Sequence, residues 1–154
     1  YVNGWGGCIM ASIIRGSDNF DSTPPSFGRV VRTAGNVSTT STSLVDLTGA
    51  SITIATGANP INFSGCYSVR NSGLGNDMIF NFTIDNVLQF GTDGLVEDQN
   101  EDDNRWNMVS PQGQSAVLSA GNHTIKQQWK VGAGTGLILA SSANSAMFFV
   151  NEIK

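Results

Sequence analysis

The feature that most constrains this chain is the recurrence of short runs in which apolar and polar residues alternate, each closed by a turn signal. In Met78–Ile84, Met78, Phe80, Phe82 and Ile84 fall on one side while Asn81 and Thr83 fall on the other. That period of two is the signature of a strand with one face in a core. Asp85-Asn86 follows, and both residues tolerate positive φ, so a two-residue hairpin turn into Val87–Phe90 is expected. Thr124–Val131 alternates in the same way, with Ile125, Trp129 and Val131 opposite Thr124, Lys126, Gln128 and Lys130.

Further strands are expected at Arg29–Thr33, Ser43–Leu47, Ser51–Thr56, Ile61–Val69, Arg105–Val109, Ala116–Ser119 and Leu137–Ala140. Thr48-Gly49-Ala50, Asn59-Pro60, Asn71–Asn76 and Gly132–Gly136 read as turns between them. Ala146–Ile153 is apolar on both faces, as a strand inside a sandwich would be. Nine or ten short strands with frequent turns predict an all-β antiparallel sandwich of jelly-roll type.

Composition agrees. Charged residues are only 13% and glycines number 18, while Ser and Thr make up about a fifth of the chain. Coiled coils and long helices need far more Glu, Lys, Ala and Leu, and disorder needs more net charge than −4. A chain of 154 residues buries roughly 68–70% of its unfolded surface, enough for one core.

Tyr1–Phe27 differs from the rest. It carries Gly4, Gly6 and Gly7, one apolar stretch Cys8–Ile14, and the breaker pair Pro24-Pro25. It is expected to be an extended arm (1–27) on a folded body (28–154). Trp5, Ile9, Met10, Ile13 and Ile14 would be its anchors in a neighbouring subunit. The sequence opens on Tyr1 rather than Met, which fits a processed product or part of a longer one. No basic residue precedes Cys8–Ile14, so no signal peptide is expected. Cys8 and Cys66 are either two small buried hydrophobes or one bridge tying arm to body.

The search for chemistry returns little. His123 is the one histidine, which cannot make a two-histidine metal site, and a structural or surface role is expected of it. No nucleophile elbow, P-loop or zinc-protease helix motif is present. Gly132–Gly136 is followed by a strand pattern rather than a helix, so it reads as a flexible hairpin tip. The expectation is a non-enzymatic protein without cofactor or metal. Eight dispersed basic residues give no footprint for nucleic acid, and no apolar run is long enough to span a membrane as a helix.

Two surface features remain as ligand-binding candidates. Glu97–Asn104 concentrates carboxylates, with Asp98, Glu101, Asp102 and Asp103 near Trp106. A solvated loop is the plainer reading, because the spacing is not that of an EF-hand. Met147 and Phe149 in the last strand are candidate subunit contacts. Four Asn-x-Ser/Thr triplets, at Asn36, Asn62, Asn81 and Asn122, are about what this composition yields by chance.

Four segments carry a resemblance: Ser38–Ala50, Phe82–Val87, Leu118–Trp129 with its Gly121-Asn122-His123-Thr124 strand start, and the closing Phe148–Ile153. Over Val37–Lys154 the chain resembles small jelly-roll modules of tailed-bacteriophage virion proteins, of the capsid decoration and head or tail fibre type. Asp85-Asn86 stands where such modules commonly carry Asp-Gly. The resemblance implies a virion, extracellular protein that assembles with itself as a homotrimer and contacts a major capsid or other virion protein. It supplies no catalytic residues and does not extend to the arm. The alternatives are a receptor- or glycan-binding module using Trp106 and the acidic loop, or a filament subunit whose arm is a donor strand.

Overall fold

A computed structural model describes residues 25–74, 76–99 and 105–154, with the backbone course alone at 96–99. The strands are β1 (Phe27–Arg32), β2 (Val37–Thr39), β3 (Val45–Thr56), β4 (Ile61–Asn71), β5 (Asp77–Ile84) and β6 (Val87–Leu88). They continue as β7 (Val96–Gln99), β8 (Asn107–Val109), β9 (Gln112–Gln114), β10 (Gly121–Val131), β11 (Gly136–Leu139) and β12 (Ala146–Glu152). One sheet runs β1-β12-β4-β11-β2, with β8 and β9 also on β4. The other runs β3-β10-β5-β6, with β7 also on β5. The pairs are antiparallel, and the two sheets face each other as a sandwich.

The alternation in β5 and β10 builds the core. Met78, Phe80, Phe82, Ile84, Ile125, Trp129 and Val131 are all buried, and they meet Phe63, Tyr67 and Phe148 from the opposite sheet. The Phe63 and Phe82 rings lie 4.5 Å apart, and Phe82 stacks on Phe148 at 6.0 Å. Gln127 shares this inward face and is fully buried. Tyr67 Oη donates to its Oε1 at 3.2 Å, and its Nε2 donates to the Asn81 carbonyl at 3.1 Å. A polar side chain survives there because both its ends are bonded.

The hairpin turn forms as expected: Asp85 and Asn86 have φ of 51° and 67°, between the pairs Ile84↔Val87 and Thr83↔Leu88. Asn81 and Thr83, expected on a solvent face, are buried as well. The chain after β6 folds over them, and Asn81 Nδ2 donates to the carbonyls of Phe90 and Gly91.

Several expectations need correction. Ser43–Leu47 and Ser51–Thr56 are one strand, β3, and not two joined by a turn. Gly49 adopts φ +82° inside it, and the pairing to β10 jumps from Ser51↔Lys126 to Asp46↔Gln128. The glycine supplies a bulge that the ladder absorbs. Ala116–Ser119 is not a strand; isolated bonds such as Ser115 N–H to the Ile61 carbonyl lead it past β4. β2, β7 and β9 lie outside the strands expected from the sequence.

Gly132–Gly136 is not a hairpin tip. It crosses from β10 in one sheet to β11 in the other, and is held by Asn71 Nδ2 donating to the Ala133 carbonyl and by Thr135 N–H donating to Ser72 Oγ.

Candidate functional site

The outer face of β1, β12 and β4 brings several exposed or partly exposed apolar side chains together. Strand register sets three rows across it. Val31, Met147 and Cys66 form the first; Arg29, Phe149, Ser64 and Gln112 the second; Phe27, Asn151, Asn62 and Gln114 the third. Phe27 is 63% exposed and Val31 37%, while Met147 and Phe149 are partly exposed. The Arg29 guanidinium lies over the Phe149 ring at 5.9 Å, a cation–π contact. Ala146, Phe148 and Val150 of the same strand point the other way, into the core. β12 is therefore not buried on both faces, as its composition suggested, because nothing described covers its outer side.

Glu152 holds Ser26, just before β1, against the end of β12. Its Oε1 accepts from Gly57 N–H at 2.6 Å and Asn59 Nδ2 at 2.9 Å, and its Oε2 accepts from Ser26 N–H at 3.2 Å. Its own N–H donates to the Ser26 carbonyl at 2.8 Å. The Asn59 amide, with the Gly57 and Ser26 N–H groups, holds the carboxyl below its ordinary range. Ser26 is thus clamped by side chain and backbone together at the exit of β12.

The outer face of the second sheet contrasts with this. There the polar side chains bond to each other: Thr53 with Thr124 at 2.8 Å, and Asp46 accepting from Lys126 Nζ and Gln128 Nε2, each at 2.9 Å. Those two donors hold the Asp46 carboxyl below its ordinary value.

The remaining candidate residues scatter. His123 is buried and structural: Nε2 donates to the Ser119 carbonyl at 2.9 Å, and Nδ1 lies 2.6 Å from Asp85 Oδ2. Trp106 is partly exposed, and Arg70 sits over its ring at 5.1 Å. Asp98 belongs to β7 and pairs with Met78, instead of lying in an open loop. Glu101, Asp102 and Asp103 lie outside the described residues, as do Trp5, Ile9, Met10, Ile13, Ile14 and Cys8. Cys66, partly exposed on β4, forms no disulfide among the described residues. Among the described residues no three His, Cys, Asp or Glu side chains converge as a metal site.

The sequence names Met147 and Phe149 as contact candidates, and both lie on this outer face; it does not point to Phe27, Arg29 or Val31. The alternation of Phe27, Arg29 and Val31 against Gly28 and Val30 was the available signal. Ending the arm at Phe27 cut it.

With this geometry in view, the chain is similar in fold to a chain of the T=1 particles derived from infectious bursal virus. The match has a TM-score of 0.50 and 11% identity, over 83% of this chain and 36% of that one. The fold is a jelly roll. This chain spans about a third of that particle chain's length, and at such identity the likeness is one of fold. Eiger TNF from S. frugiperda is similar over 85% of this chain and 94% of its own, at 11% identity and a TM-score of 0.44. The VP2 subviral particle of infectious bursal disease virus gives 14% identity over 83% and 37%, at 0.41. These last two scores are too low to add to the jelly-roll assignment. No family model matches the chain, and no curated protein matches it.

Proposed function

We propose that this chain is a non-enzymatic structural protein of a virion: a capsid decoration or head–tail fibre subunit of a tailed bacteriophage. In this reading it assembles as a homotrimer and contacts a major capsid or other virion protein. The observation that carries the reading is the exposed strip of Phe27, Val31, Met147 and Phe149, beside an N-terminal segment clamped at Ser26.

Magnitudes divide the work between strip and arm. Complete burial of four large apolar side chains is worth at most on the order of 6–12 kcal/mol, and association costs an estimated 4–15 kcal/mol. The strip alone is therefore marginal. Segment 1–24 supplies the remainder when Trp5, Ile9, Met10, Ile13 and Ile14 bury against a neighbour. Glu152 anchors Ser26, two residues beyond that segment.

The test is molar mass by light scattering for the full chain, the Phe149→Asp variant, and a chain starting at residue 25. A trimer that dissociates in Phe149→Asp, and weakens when the arm is removed, supports the reading. A full chain that stays monomeric at all concentrations and is not retained on virions would sink it.

A further inference from the structure

The same sheet has a second feature, on the β9 side. An open groove of about 460 Å³ runs across β12, β4 and β9, lined by Asn62, Ser64, Gln112, Gln114 and Asn151. Its floor is Phe63 and Gly113. A Cβ on Gly113 would lie 2.7 Å from both the Phe63 and Phe90 rings, so β9 lies close on the core there. The volume falls in the usual range for small-molecule sites, about 300–1,000 Å³. A second, partly open pocket near Val37 and Leu47 measures about 20 Å³, room for a water molecule.

Two properties of the groove point to a ligand class. Its polar lining holds no Asp, Glu, Lys or Arg, so an ionic ligand would lose hydration there without a countercharge. Its hydrogen-bonding groups are also unspent. The side chains of Asn62, Ser64, Gln112 and Gln114 bond to no other described residue, and Asn151 makes one long bond of 3.4 Å to the next carbonyl. On the opposite sheet's outer face the equivalent groups satisfy one another.

Each carboxamide offers an acceptor beside a donor, the complement of a vicinal diol. Cross-strand register sets these groups in the pairs Asn62↔Gln114, Asn62↔Asn151 and Ser64↔Gln112. Directly paired residues have Cβ atoms about 4.5–5.5 Å apart, close to the width of one pyranose ring. Phe149 stands beside Ser64 at the groove's margin, with the Arg29 guanidinium over its ring and outside the groove lining.

We propose that this groove binds a neutral oligosaccharide of two or three sugar units, held by the amides of Asn62, Gln112, Gln114 and Asn151. The site is separate from Trp106 and the acidic segment, and it does not depend on the assembly reading above.

The test applies the full chain to an array of neutral glycans built from glucose, galactose, mannose and N-acetylglucosamine, beside their sialylated counterparts. Hits are confirmed by ligand-observed NMR. Neutral glycans are expected to bind, with about tenfold weaker affinity in each of Gln112→Ala and Gln114→Ala. Both side chains are exposed, so the thermal midpoint should not move, and Trp106→Ala should bind as the parent does. The proposal is overturned if no neutral glycan binds at millimolar concentration, if sialylated glycans are preferred, or if binding survives both glutamine substitutions. An assembled trimer whose Gln112 and Gln114 are shielded from solvent would overturn it as well, while leaving the assembly reading in place.

Discussion

His123 Nδ1 lies 2.6 Å from Asp85 Oδ2, joining the start of β10 to the β5–β6 hairpin turn. Both ring nitrogens face acceptors, the Ser119 carbonyl and the Asp85 carboxylate, so the site favours the protonated ring, which donates from both. The Ser119 carbonyl and the Asp85 carboxylate raise the His123 pKa above its ordinary 6.5. The Thr124 N–H and the His123 ring hold Asp85 below 3.8.

The pH dependence follows from these directions. His123, with its folded value raised, contributes stability that is complete below pH 6.5 and is lost as pH rises through the folded value. Asp85, with its folded value lowered, contributes stability above pH 3.8 that is lost as pH falls through its folded value. Both act together between those limits. The thermal midpoint of His123→Asn should lie roughly 2–4 °C below the parent at pH 5.5, with the gap narrowing toward pH 9. A gap that widens with pH would contradict the assignment of the ring as a cation.

Gln127→Ala should cost about 2–4 kcal/mol in urea unfolding, since it opens a cavity beside Trp129 and strands the Tyr67 hydroxyl and the Asn81 carbonyl. Gln127→Met keeps the volume and should cost less, about 1–3 kcal/mol, from the stranded polar groups alone. Equal costs for the two variants would show that the polar bridge carries the whole effect.

Gly28 packs its bare Cα against Ile52 and Ile54 of β3, where a Cβ would collide with the Ile52 methyl. Gly28→Ala should therefore lose about 1–3 kcal/mol by pushing β1 off the sandwich. Hydrogen exchange should show faster opening of β1 than of β5. An unchanged midpoint would mean that Ile52 rotates out of the way freely.

Asn86 sits at φ 67° and accepts from Lys126 Nζ at 3.1 Å. Asn86→Gly should be near neutral in chemical denaturation, whereas Asn86→Val should cost about 1–2 kcal/mol for forcing a branched residue into the left-handed region. A stable Asn86→Val would imply that the turn changes type.

Much of the fold was legible because one-sided strands announce themselves. β5 and β10 could be read from Met78 to Ile84 and from Ile125 to Val131, since side-chain period and burial coincide there. Asp85-Asn86 named its own turn. Gly49 did not, because a left-handed glycine ends a strand or bulges it according to whether a partner ladder continues past it, and that partner is β10, far along the chain. Gly132–Gly136 misled for a related reason: a short Gly-rich link looks the same whether its strands pair or lie in opposite sheets.

The candidate site was less legible than the fold. Met147 and Phe149 could be named from the closing strand, but Phe27, Arg29 and Val31 join them only because β1 pairs with β12 over more than a hundred intervening residues. The groove amides were out of reach altogether. Gln112 and Gln114 sit in a three-residue strand with no hydrophobic pattern, and pairing to β4 is what gives them an orientation.

By itself, then, the sequence determined an all-β chain with one core, the inward identity of its aromatics, and its chief hairpin. These depend on period, turn chemistry and hydrophobicity, which are local. Tertiary structure decided which outer face stays apolar, that Glu152 clamps Ser26, and that five uncharged polar side chains share one groove. Those depend on register between distant strands, and register is set only when the two sheets close on the same core.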